Sequence, residues 1–226
     1  MGVRTLPPVL VLLVALVGCG DTVVDTPQTT TAPTTDTTAV DDTTVETTPP
    51  TPEAEGVVAG IDFGALDLPP DEPYAGYTEL VDDTGTIQVE VPTAWSDTDT
   101  APSGEDEWPY VLASADIDGF ISDWTTPGVF VVHQSTAGSE QDELDAQDDR
   151  VDLTGTCEAM RSFEYDDGSY TGLAEMWTGC ASDQAAELVI STSVDGDHLL
   201  AMVQMLTEAD IDAAIRVIET FSFTGE

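Results

Sequence analysis

A chain of 226 residues with 45 acidic side chains, four arginines and no lysine carries a formal charge of −41. Phosphate backbones are gripped through Lys and Arg, so nucleic acid is excluded as a partner, and an anionic lipid surface repels the folded part as well. The company this charge allows is a basic protein, a cation or a counter-ion atmosphere.

In chain order, residues 1–18 have the three parts of an export signal: a charged start at Arg4, an apolar run from Val9 to Val17, and a small residue before the cut. Pro7 and Pro8 sit ahead of that run and leave it uninterrupted. It is shorter than the about 20 residues a transmembrane helix needs. The run closes on Leu16-Val17-Gly18-Cys19, which resembles a bacterial lipobox, with an aliphatic residue three before the cysteine and a small residue just before it. The resemblance implies a lipoprotein signal peptide over 1–18 and lipidation of Cys19. A single acyl chain such as palmitate anchors weakly, so stable attachment rests on several. The expected location is the extracytoplasmic face of the cell membrane, with the protein held in the cell envelope by its N-terminal lipid.

Residues 19–73 read as a disordered stalk rich in Thr, Pro and Asp. Asp21 to Glu55 holds 14 threonines and five prolines with no aromatic residue, too little apolar surface to offset the entropy of ordering. Thr with Pro is the composition of O-glycosylated stalks. Flexible, 35 such residues span about 30 Å; as polyproline they reach about 110 Å. Gly56 to Pro73 is a transition that either docks on the domain edge or stays loose. The domain itself is expected over 74–226.

Thr78–Val81 and Thr86–Val91 read as strands around the turn-forming cluster Asp82-Asp83-Thr84-Gly85. Ile87, Val89 and Val91 alternate with Gln88 and Glu90, the pattern of a half-buried antiparallel strand, and Pro92 ends it. Trp95 follows as a core plug. The run Gly85-Thr86-Ile87-Gln88-Val89-Glu90-Val91-Pro92-Thr93-Ala94-Trp95, together with Cys157, Asp166-Asp167-Gly168-Ser169-Tyr170-Thr171-Gly172-Leu173, Trp177 and Cys180, resembles the PsbP/Mog1-like domains of secreted, actinobacterial-type lipoproteins. The resemblance covers about residues 76 to 223. It implies an antiparallel sheet flanked by helices, an α/β/α sandwich of the α+β class, and it brings no catalytic residues.

Further on, Pro109–Ser114 reads as a strand, Asp116–Trp124 as a short helix, and Val129–Gln134 as an apolar strand. Ser139 and Asp142 form a capping box that opens an acidic helix to about Asp149. Gly168-Ser169 suits a type II′ hairpin turn, which places residues whose numbers sum to 337 opposite each other. Cys157 and Cys180 meet that condition, at a separation a disulfide tolerates. With Cys19 lipidated they are also the even pair left to oxidise outside the cytoplasm. Glu187–Val194 and His198–Leu206 form another hairpin across Asp195-Gly196. Thr207 and Asp210 then cap a helix carrying Ile211, Ala214, Ile215, Ile218 and Phe221 as its core stripe.

Chemistry is sparse. No G-x-S-x-G, H-E-x-x-H, P-loop or dinucleotide glycine pattern occurs. His133 and His198 read as a strand residue and a turn residue. The Asp-Gly pairs at 118–119, 167–168 and 195–196 read as turns, since none continues into a twelve-residue calcium loop. No catalytic residue, metal ligand or cofactor is therefore expected. Trp108, in the acidic loop Glu105-Asp106-Glu107-Trp108, is the tryptophan expected to be exposed for binding. The resulting expectation is a non-catalytic binding or interaction domain with an envelope or protein partner. A lipid or small-solute carrier would instead need an apolar cavity. A secreted hydrolase would need His133 or His198 beside a serine and an acid.

Overall fold

The computed structural model describes residues 56–102, 108–122, 124–134, 138–183, 185–194 and 197–224. Cys19 and most of the expected stalk lie outside them, as do Asp195-Gly196 and the acids before Trp108. Within them the fold is α+β and built on antiparallel sheets. In chain order the strands are β1 (Val57–Val58), β2 (Ile61–Asp62), β3 (Tyr77–Val81), β4 (Ile87–Pro92), β5 (Asp97–Asp99), β6 (Tyr110–Ser114), β7 (Gly128–Gln134), β8 (Ala159–Asp166), β9 (Thr171–Gly179), β10 (Ala185–Val194), β11 (Asp197–Met205) and β12 (Ser222–Phe223). The helices are α1 (Ile117–Ser122), α2 (Glu140–Val151), α3 (Leu153–Thr156), α4 (Cys180–Asp183) and α5 (Glu208–Thr220).

Seven strands form the main sheet in the order β5-β6-β7-β11-β10-β9-β8, and β12-β4-β3 form a smaller one. Both faces of the main sheet are covered, so its central strands are buried at successive positions rather than at alternate ones. On one face, Ile87, Val89 and Val91 of β4 and the buried side of α5 pack with Val111, Val129, Leu188, Ala201 and Val203. On the other, α2 lies over β9, β10 and β11, and Leu144 joins Leu112, Val189, Leu200 and Met202.

The caps form where the sequence places them. Ser139 and Asp142 exchange bonds, with Ser139 N–H donating to Asp142 Oδ2 at 2.8 Å and Asp142 N–H to Ser139 Oγ at 3.2 Å. Asp210 Oδ2 accepts from the N–H groups of Leu206 and Thr207 at the start of α5. The expected stripe faces the core: Ala214, Ile218 and Phe221 are buried, Ile211 and Ile215 pack on it half-buried, and Ala213 and Val217 widen the buried face.

The hairpin of β8 and β9 has the expected register, with Ala159 opposite Thr178 and Asp166 opposite Thr171. In its loop Gly168 takes φ +86°, the positive value that the first residue of a type II′ turn requires. Just beyond the paired residues, Cys157 and Cys180 form a disulfide. The folded part also begins earlier than Tyr74. β1 and β2 form a hairpin followed by a short 3₁₀ turn, and Ala59, Ile61 and Phe63 enter the core. The segment from Gly56 thus belongs to the domain and not to the stalk. Two-residue strands show too little periodicity to be recognised in sequence.

Candidate functional site

The α2-covered face of the main sheet holds a pocket of about 580 Å³ between α1 and α2, within the size range of small-molecule sites. Register explains its floor. Leu112, Phe130 and Met202 are successive cross-strand neighbours on β6, β7 and β11. In the next row Gly128 faces Gln204, and Gln204 faces Glu187 on β10. Gly128 leaves room on this floor for the ring of Phe120, whose nearest carbon would be 2.8 Å from an added Cβ. Phe120, Ile121 and Trp124 form one wall, and Gln147, Arg150 and Val151 of α2 form the other.

Glu187 is the unusual member of this set. It sits in the middle of Ala185-Ala186-Glu187-Leu188-Val189-Ile190 and is 2% exposed. Its Oε2 has no hydrogen-bond partner among the described residues. Burial alone pushes its carboxyl up to about 8, because removal from water disfavours the charged form. Gln147, 4% exposed, donates its side-chain amide to Met202 Sδ at 2.8 Å and leaves Oε1 without a partner among the described residues. Gln204 donates to the Thr126 carbonyl at 2.6 Å. At the mouth, Arg150 is held by Glu143 at 2.6 Å.

The rim is apolar and strained. Ile121 on one wall is 66% exposed, and Val151 on the other is exposed as well. Trp124 adopts φ +59°, a left-handed conformation that costs a bulky aromatic residue roughly 1–3 kcal/mol and tends to occur at functional sites. Trp124 is therefore the tryptophan at the pocket. Trp108 is half-buried against the core on the same face of the sheet, not exposed as expected.

The histidines lie elsewhere. His133 Nε2 is 3.3 Å from Asp197 and its ring stacks on Phe223 at 4.2 Å. Burial lowers its pKa, partly countered by Asp197. His198 Nε2 meets the Gly138 carbonyl at 3.2 Å. Ser193, opposite His198 on β10, donates instead to Glu140. No described hydrogen bond joins either histidine to a serine.

Asp118-Gly119, expected as a turn, lies within α1, and the described turns at Asp82 and Asp167 are occupied by their own backbone. Asp167 Oδ1 accepts from the N–H groups of Ser169 and Tyr170 at 2.7 Å, and Asp82 Oδ1 from those of Thr86 and Ile87. Sequence reasoning missed Glu187 and Gln147, and among the tryptophans it favoured Trp108 over Trp124. The available signal was a lone carboxylate inside an apolar strand that both neighbouring hairpin strands enclose. No protein-family model and no curated protein matches this chain.

Proposed function

We propose that the chain is an extracytoplasmic lipoprotein, held to the membrane through Cys19, whose PsbP/Mog1-like domain binds a small molecule without catalysing a reaction. The observation that carries the binding role is the pocket over Glu187. It has the volume of a ligand site, mostly apolar walls and two buried polar groups lacking partners among the described residues. This favours a solute carrier over an assembly module that works through a flat surface. The Cys157–Cys180 disulfide suits an oxidising compartment, and the layered α+β fold suits the PsbP/Mog1-like sandwich. A hydrolase finds no support in the placement of His133 and His198.

Two measurements test this reading. Cys19→Ala in the full-length chain should move the protein from the membrane fraction to the soluble one, and continued attachment would refute the anchor. The released Cys19→Ala chain should raise the fluorescence of the neutral apolar probe N-phenyl-1-naphthylamine. Amide shifts on adding the probe should cluster at Phe120, Gln147 and Glu187. Shifts elsewhere, or no binding, would refute the pocket.

A further inference from the structure

The two polar atoms of the pocket without partners among the described residues are both side-chain oxygens. Gln147 Oε1 and, once ionised, Glu187 Oε2 are acceptors, and the side-chain amides of Gln147 and Gln204 each already donate one bond within the fold. A molecule seated there must bring donors if those oxygens are to be satisfied. Around them stand the rings of Phe120, Trp124 and Phe130, and aromatic faces attract cations. The one cationic side chain at the mouth, Arg150, is neutralised by Glu143. The folded part after Gly56 carries 37 acids and three arginines, so its field concentrates cations at the entrance. All three of those arginines, Arg150, Arg161 and Arg216, are paired with carboxylates.

We infer that the pocket takes an organic ammonium ion, its N–H groups meeting the Glu187 carboxylate and the Gln147 carbonyl oxygen and its carbon body lying among Phe120, Trp124 and Phe130. This rests on the small-molecule pocket proposed above. Burial keeps the Glu187 carboxyl neutral when the pocket is empty. An entering ammonium ion therefore exchanges that proton for its own charge, and the proton leaves to solvent.

The test compares phenethylammonium with 2-phenylethanol, its near-isosteric neutral alcohol, as competitors for N-phenyl-1-naphthylamine on the full-length Cys19→Ala chain. The ammonium ion should displace the probe at about tenfold lower concentration than the alcohol, and Glu187→Gln should abolish that gap, each competitor being scored against the probe affinity of the same variant. Trp124→Ala should weaken the ammonium competitor several-fold more than the alcohol and covers the case in which Glu187→Gln fails to fold. Equal competition by the two compounds, with the probe bound, would overturn the ammonium inference and leave the pocket standing. Failure of the probe to bind would overturn both.

Discussion

The hydroxyl of Tyr74 donates to the Asp210 carboxylate across 2.5 Å and accepts the indole N–H of Trp95 at 3.0 Å. This chain of bonds joins the segment before β3, the loop after β4 and the first turn of α5, and its two ends are almost wholly buried. Removing the hydroxyl leaves the Trp95 N–H without its acceptor and takes one donor from Asp210. Tyr74→Phe should therefore lower the unfolding free energy by about 1.5–3 kcal/mol, the range for a bond to a charged group. Urea unfolding followed by Trp fluorescence measures it. A change below about 0.5 kcal/mol, the ordinary effect of a surface substitution, would show that the network adds little.

The first hairpin is part of the core rather than a tether. Ile61 is fully buried, and the carbonyl of Ala59 accepts from the N–H of Asp166 at 3.2 Å along the edge of β8. Gly60 has φ +85°, and an added Cβ would lie 2.3 Å from the Glu164 carbonyl oxygen. Ile61→Ala should cost about 2–5 kcal/mol through lost burial and the cavity left behind. Gly60→Ala should also destabilise, because the strained φ and the backbone collision act together. A chain beginning at Gly56 should unfold at a clearly higher temperature than one beginning at Tyr74. Equal midpoints would mean that residues 56–73 are dispensable.

The disulfide closes the β8–β9 hairpin across a sequence separation of 23 residues. In the loop-entropy model, removing such a bridge costs about 3 kcal/mol. Cys157→Ala with Cys180→Ala should lower the melting temperature by several degrees, and a reducing agent should do the same to the natural chain alone. Reduction that also shifted the double variant would mean the effect is not the bridge.

Legibility in the sequence followed the length of each periodic signal. The β8–β9 register could be read because a Gly-first turn between two long strands leaves a single parity, and Cys157 with Cys180 obeys it. Both helix caps could be read because a capping box is local. The stripe on α5 is legible through Ala214, Ile218 and Phe221, which are buried, while Ala213 and Val217 widen the buried face beyond the large residues that mark it in sequence. β1 and β2 are too short to carry a pattern, and β5 (Asp97–Asp99) is an exposed edge strand of two aspartates around a threonine. The pocket was the least legible feature. It arises where Gly128, Gln204 and Glu187 fall into one cross-strand row, and a row of that kind is a property of tertiary register.

That row makes stability depend on pH through Glu187. In the unfolded chain a glutamate releases its proton near pH 4.3, but in the fold burial holds the Glu187 proton until about pH 8. Between those values the folded state binds a proton that the unfolded state has lost, so rising pH favours unfolding. The Glu187 contribution is fully present below about pH 4 and is lost as pH climbs through about 8, a difference on the order of 5 kcal/mol. Many surface carboxylates titrate over the acid end of this window, and Glu175 on β9, also raised by burial, lies on the same face. The Glu143–Arg150 pair on α2 is the nearby charge at the pocket mouth. A comparison of the natural chain with Glu187→Gln isolates Glu187 from these groups, since they are common to both. The two proteins should be close in stability near pH 4, and Glu187→Gln should become the more stable by several kcal/mol toward pH 8.5. Urea unfolding at half-unit pH intervals gives the two curves. Parallel curves would mean that Glu187 ionises in the fold as it does in water, and that the floor of the pocket is wetter than its geometry indicates.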